Sequence, residues 1–324
     1  MKNFWQQLKA DLSRAGRGIF VLAPMADVTD CVFREIINKY GKPDVFWTEF
    51  VSADGLAHPV AREKLLIDLR YDKAEHPIVA QIFGGKPDNI REAAKLCAEL
   101  GFDGVDINMG CPDKAIEKQC AGSGMIKNPP LAREVIRAAI EGAGGLPVSV
   151  KTRIGYNKNE METWLREVLS EDIAVLTVHL RTRKEMSDVP AHWDLMKRIL
   201  EIRDEVNKNV LIFGNGDVLD INDAHQKVKE TGCDGIMLGR AIFGNPWLFA
   251  GKVPTLEEKL KVMIEHTKLF EKVLSPHKNF AIMKKHYKAY VNNFEGAKEL
   301  RVKLMEAENA TEIENITNDF LKTL

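Results

Sequence analysis

The chain has 324 residues, 45% of them hydrophobic and 29% charged, a balance that can bury a real core and excludes both intrinsic disorder and a disulfide-stapled mini-protein. Its 46 Lys and Arg stand against 47 Asp and Glu, a formal net charge of -1, so no global basic field marks a nucleic-acid binder and any such surface must be local. The five cysteines, Cys31, Cys97, Cys111, Cys120 and Cys233, are odd in number and include no C-x-x-C pair, which argues against a disulfide framework or a zinc ribbon and for a reducing cytoplasm.

The first eighteen residues, MKNFWQQLKADLSRAGRG, are polar and amphipathic and lack the apolar centre of a signal peptide. No later run approaches the ~20 apolar residues needed to span a bilayer, so a cytoplasmic chain with no membrane partner is expected. Short runs rich in Val, Ile, Phe and Thr then recur at 19–22, 45–50, 78–83, 105–108, 148–152, 175–179, 210–213 and 236–239. Between them lie segments of helical spacing at 29–40, 87–100, 130–141, 160–171, 194–206 and 220–231. Pro87 and Pro130 suit a first helical turn, and Gly101, Gly142 and Gly232 suit helix ends. Strands alternating with helices of this length make right-handed βαβ units on a parallel sheet. Eight units over about 240 residues predict an α/β fold of the (β/α)8 TIM-barrel kind. The alternative, a doubly wound open sheet, would carry a glycine fingerprint after its first strand, where Ala23-Pro24-Met25-Ala26 stands instead.

After Trp247 the alternation stops, and the remaining segments have helical spacing broken at Ser275-Pro276 and Gly296. The expected organisation is a catalytic barrel over 1–250 and a small helical domain over 251–324. From Lys252 to Lys303 the tail carries 12 Lys or Arg and 6 Asp or Glu, while Leu304 to Leu324 carries 1 Lys and 5 acids. The local excess of positive charge makes 251–324 a candidate nucleic-acid-binding unit, with Lys284, Lys285 and Arg301 on helical segments as candidate contacts.

In a (β/α)8 barrel chemistry sits at the C-terminal ends of the strands, and here those ends are polar: Gln81, Asn108 with Cys111, Lys151 with Arg153, His179, Gly214-Asn215-Gly216-Asp217 and Gly239-Arg240. Glycines after strands 7 and 8 let backbone N–H groups approach an anion, and Arg240 can add a charge-assisted contact, so a phosphorylated cofactor is expected there. Cys111 follows a strand-end Asn and precedes Pro112 on a loop over the barrel mouth, which sets it apart as the candidate reactive thiol. Cys31 and Cys97 read as packing residues. His58, His192, His225, His266, His277 and His286 read as solvated, and no cluster has metal-ligand spacing, so no metal is expected.

These residues, taken in order, resemble the tRNA-dihydrouridine synthase family. The likeness runs through Ala23-Pro24-Met25-Ala26-Asp27-Val28-Thr29-Asp30, Glu49 to Leu56, Gln81-Ile82-Phe83-Gly84, Asp106 to Pro112, Val150-Lys151-Thr152-Arg153, His179 with Arg181-Thr182-Arg183, Gly214 to Asp217 and Gly239-Arg240. It continues in the tail through Met283-Lys284-Lys285-His286-Tyr287 and Gly296 to Arg301. The sequence departs from the family pattern at Leu180, Ser187, Val189 and Cys120.

The resemblance implies an FMN-dependent barrel that reduces the C5–C6 double bond of selected uridines in tRNA, with NADPH as reductant. It implies that Pro24, Met25 and Ala26 line the flavin, that Gln81 and Lys151 bond its ring and that His179 borders it. Asn215, Gly216, Asp217, Gly239 and Arg240 would hold its phosphate, Asn108 and Arg153 would face the uracil, and Cys111 would be the catalytic cysteine. The expected partner is tRNA and the expected state a monomer. A flavin barrel reducing a free pyrimidine is the alternative; it would need no basic tail.

Overall fold

The computed structural model describes residues 3–323. Helix α1 (Phe4–Arg14) precedes the first strand and is capped by the Asn3 side chain. The barrel strands are β1 (Ile19–Leu22), β2 (Phe46–Ser52), β3 (Ile78–Phe83), β4 (Gly104–Met109), β5 (Val148–Arg153), β6 (Val175–His179), β7 (Leu211–Asn215) and β8 (Gly235–Leu238). All pair in parallel in the order β1-β8-β7-β6-β5-β4-β3-β2. A parallel bridge between Val21 and Val45 brings β1 beside the start of β2 and closes the ring.

The connecting helices are α2 (Cys31–Gly41), α3 (Ala53–Ala57), α4 (Pro59–Leu65), α5 (Pro87–Glu99), α6 (Lys114–Glu117), α7 (Pro129–Gly142), α8 (Met161–Leu169), α9 (Met196–Val206) and α10 (Ile221–Thr231). Their starts follow local chemistry: Asp30 accepts the Phe33 N–H at the head of α2, and prolines open α5 and α7. Gly232 ends α10 in the left-handed conformation, φ 78°. Gly142 ends α7 as expected, and it also has a packing role. It lies in the last turn of α7, where a Cβ would stand 2.1 Å from the Arg91 carbonyl oxygen, so it lets α7 and α5 pack backbone to side.

Alternate strand residues form two cores. Phe20, Leu22, Ile82, Val105, Ile107, Val150, Leu176 and Ile236 face the helices. Ile19, Val21, Trp47, Val79, Val175, Leu211, Phe213 and Met237 fill the barrel, and Trp5 joins them. The Trp5 ring lies 5.6 Å from both Trp47 and Phe213. The amphipathic N-terminal segment is therefore a plug that shuts the N-terminal end of the barrel.

Beyond β8 the chain is helical: α11 (Leu256–Val273), α12 (Met283–Tyr290), α13 (Ala297–Glu306) and α14 (Ala310–Leu321). A capping box between Thr255 and Glu258 starts α11, and Gly296 starts α13 with φ 79°. These helices dock on α2 of the barrel. His266 and His286, expected to be solvated, are fully buried there against Phe33, with ring centroids 4.8 Å from it and 4.6 Å from each other. Helical spacing places both on the inner face, an arrangement that single-residue polarity does not reveal. Lys39 and Tyr40 of α2 both bond Glu265 of α11.

Candidate active site

Strand alternation carries the polar side chains inward at one end of the barrel. Asp106 and Asn108 share a face of β4, Ser149, Lys151 and Arg153 of β5, and Thr177 and His179 of β6. The register sets Asn108 beside Lys151, and Arg153, His179 and Asn215 in one row. At this rim a cavity of about 220 Å3 is bounded by Pro24, Met25, Lys151, His179, Arg181, Asn215, Gly216, Asp217, Gly239 and Arg240, among others. A larger hollow of about 530 Å3 lies at the opposite end, around Asn3, Pro147 and Asn209, but no cationic side chain lines it. Of the residues expected to hold a cofactor, Ala26 and Gln81 do not border the strand-end cavity.

Gln81 supports it from below. Its amide nitrogen donates to Asp106 at 2.6 Å and its oxygen accepts from Asn108 at 2.9 Å. The Ser149 hydroxyl donates to the other Asp106 oxygen at 2.5 Å. Burial raises the Asp106 carboxyl to about 6, against these hydrogen bonds. Asp106 and Arg181 are site residues that position alone does not mark, although the two-residue strand period pairs Asp106 with Asn108. Arg181 lies two residues past the end of β6.

The cavity is cationic. Lys151, Arg181 and Arg240 face one carboxylate, Asp217. Burial and the Arg153 guanidinium pull the Lys151 ammonium down to about 8, while Asp106 acts in the opposite direction. Burial, with the charges of Arg153, Lys151, Arg181 and Arg240, holds His179 well below its ordinary range, so its imidazole is neutral. Arg181 approaches His179 Nε2 at 3.3 Å, which makes Nε2 the acceptor and leaves the proton on Nδ1.

Asp217, with φ 52°, is the strut of the loop after β7. It accepts from Arg181, from the Ala191 N–H at 2.9 Å and from Arg240 at 2.7 Å. Gly216 has φ 128°, and a Cβ there would stand 2.8 Å from the Ala191 Cβ and 3.2 Å from the His179 ring. Gly214 serves packing: a Cβ would stand 2.5 Å from the Trp193 ring. Gly239 borders the cavity, and a Cβ there would stand 3.7 Å from the Ala23 Cβ, an ordinary contact. Glycine backbone, a guanidinium and an ammonium around a narrow cleft fit a phosphate monoester.

Cys111 stands on the loop after β4, half-buried against Phe50, Phe83, Ile116 and Ala121. The Asn108 side-chain oxygen accepts the N–H groups of Gly110 at 3.1 Å and Cys111 at 2.9 Å, and Ser123 bonds the Cys111 carbonyl through its N–H and its hydroxyl. Burial, with the Asp113 charge adding to it, pushes the thiol above its ordinary 9.0, so it is protonated at neutral pH. Cys120 is exposed, with φ 54°. Arg153 is largely committed to the scaffold: it donates to the carbonyls of Gly110, Thr182 and Met186.

In the tail, Lys284 and Lys285 lie on α12 and Arg301 on α13. Lys285 reaches the Asp27 carboxylate of the barrel at 3.3 Å, and Arg301 donates to the Val291 carbonyl at 2.7 Å. Lys288, Lys298 and Lys303 are exposed. Among the described residues no helix is long and apolar enough to cross a membrane, and no group of three or more His, Cys, Asp or Glu could hold a metal ion.

The architecture is similar to the old yellow enzyme homologue from Zymomonas mobilis, with TM-score 0.51 and 16% identity over 74% of this chain and 91% of that one. It is also similar to morphinone reductase, with TM-score 0.50 and 14% identity over 74% and 89%. The sequence is 42% identical to a probable tRNA-dihydrouridine synthase of Staphylococcus aureus strain Mu50, over 98% of this chain and 96% of that protein. It is equally identical to probable tRNA-dihydrouridine synthase 2 of Bacillus subtilis strain 168, over 98% and 97%. The family profile described as dihydrouridine synthase matches residues 21–324, and the chain belongs to that family of oxidoreductases.

Proposed function

We propose that this dihydrouridine synthase binds FMN in the strand-end cavity and reduces uridine in tRNA, with NADPH as the reductant and Cys111 as the proton donor. The observation that carries the reading is a protonated, half-buried thiol on the loop after β4, at the same end of the barrel as a cleft lined by three cations and one carboxylate. Bound there, FMN supplies the hydride that adds to C6 of the uracil ring.

The chain's own residues do the rest. Arg240 and the backbone at Gly239 and Gly216 would take the phosphate, and Asp217 orients Arg240 while Arg181 offsets its charge. The Lys151 ammonium in the cavity wall would offset negative charge on a reduced flavin held there. Neutral His179 offers its Nδ1 proton at the edge of the cavity. Cys111 gives its proton to C5 as the double bond is consumed, and solvent restores it afterwards. Asn108 and Arg153 face the uracil and shape the loop that carries the thiol.

The uridine must leave its stack to enter a barrel mouth, and residues 251–324 supply the RNA-holding unit through the excess of Lys and Arg on α12 and α13. A free-pyrimidine reductase would make no use of that surface. Incubating the purified protein with NADPH and dihydrouridine-free tRNA, or with free uracil, decides between them. A gain of two hydrogens in the RNA alone supports the proposal. Turnover of uracil with no change in the RNA overturns it, and so does a protein that takes up no FMN.

A further inference from the structure

An ion cluster at the barrel mouth has no part in the chemistry above. Lys278 lies in the turn between α11 and α12, its side chain 13% exposed. Its ammonium donates to Oε2 of Glu49 at 2.9 Å and lies 2.6 Å from Oδ1 of Asp68. Glu49, on β2, is 6% exposed, and its second oxygen accepts the Asp27 N–H at 2.5 Å. Asp27 has φ 53°, a left-handed conformation that Asp tolerates better than most residues with a side chain. It sits in the turn after β1 whose Pro24 and Met25 line the cavity. Two charge-assisted hydrogen bonds therefore run from the helical tail, through a buried carboxylate, to the backbone of the turn that carries Pro24 and Met25 of the cavity wall.

The charge balance of the cluster depends on Lys278. Burial pushes the Glu49 carboxyl up, and Lys278 is the largest influence in the opposite direction. Without that ammonium, Glu49 would remain buried beside Asp68 and Asp30, and a protonated Glu49 is a weaker acceptor for the Asp27 amide.

We propose that Lys278 is a positioning residue for the flavin: by holding Glu49 it fixes the Asp27 amide and the Pro24–Asp27 turn, so that the helical tail completes a cavity otherwise built by the barrel. This role rests on the flavin reading of that cavity.

The test uses the full chain with Lys278→Met, Glu49→Gln, the double variant and Lys278→Arg. Hydrogen exchange of the Asp27 amide is followed in flavin-free protein, and FMN affinity and the visible flavin band are followed on reconstitution. Lys278→Met and Glu49→Gln should each speed the exchange and weaken FMN binding about tenfold, with a shifted flavin band. The double variant should add little to either, and Lys278→Arg should restore both readouts. Glu49→Gln preserves volume and carries the test should Lys278→Met fail to fold. Wild-type exchange at Asp27 in both single variants overturns the proposal, as does faster exchange with unchanged FMN affinity and spectrum. A wild-type protein that binds no FMN refutes the flavin reading and this role with it, and is distinguishable because the exchange measurement needs no flavin.

Discussion

Removing the Cys111 thiol separates proton delivery from cofactor binding. The loop does not depend on the side chain, since its geometry is set by the Asn108 oxygen on the Cys111 N–H and by Ser123 on the Cys111 carbonyl. Cys111→Ala should therefore keep the cavity and its flavin while losing general-acid catalysis, a contribution of about 10²–10⁴ in rate, or ~3–5 kcal/mol of barrel-held barrier lowering at 1.36 kcal/mol per tenfold. The assay is a single turnover: flavin reduced with NADPH, then mixed with dihydrouridine-free tRNA while the return of the visible band is followed. The acting form is the protonated thiol, whose pKa burial holds above 9.0. The wild-type rate should consequently show a limb that falls as pH rises beyond 9, and that limb should be missing from Cys111→Ala. Reoxidation by tRNA at the wild-type rate in Cys111→Ala would refute the assignment, and so would a loss found in Cys120→Ala instead.

Arg240→Ala should weaken FMN retention about fivefold without altering the fold, because a charge-assisted contact from a side chain 64% exposed is worth less than a buried one; equilibrium dialysis of flavin checks it. Neutralising Lys284, Lys285 and Arg301 together should weaken tRNA binding and flatten its log-salt slope by about 2, or ~0.9 for each of two phosphate contacts, since Lys285 is already paired with Asp27 at 3.3 Å. An unchanged slope would make the tail a structural element. The buried histidines predict acid sensitivity. Burial depresses His286 to about 3 and holds His266 well below 6.5, so below pH 6.5 the unfolded chain binds protons that the folded chain refuses. Stability should fall with pH by about 2 kcal/mol per histidine between pH 6.5 and 5. Urea unfolding of His266→Leu/His286→Leu should lose that difference, and an identical pH dependence would show that the pair is solvated in the folded state.

The strand and helix order, the barrel class and most of the cavity wall are legible in the amino-acid sequence because they follow from local periodicity and from position. A strand-end residue such as Lys151, His179 or Arg240 lands on the catalytic rim whichever neighbours surround it, and Pro87 opens a helix by its own ring geometry. The roles that depend on distant partners were not legible. Gly142 ends α7 as its position suggests, but its packing against Arg91, 51 residues earlier, is not visible in the sequence. Gly214 looks like an anion cradle and makes room for Trp193. His266 and His286 look polar and are buried, because the face they occupy is chosen by α2. Arg153 looks like a substrate contact alone, yet it also ties the carbonyls of Gly110, Thr182 and Met186. Lys278 looks like one more basic residue of the tail and ends 2.9 Å from Glu49, 229 residues away. Hydrogen bonds and burial are pairwise quantities, and a sequence states only one member of each pair until the chain has closed.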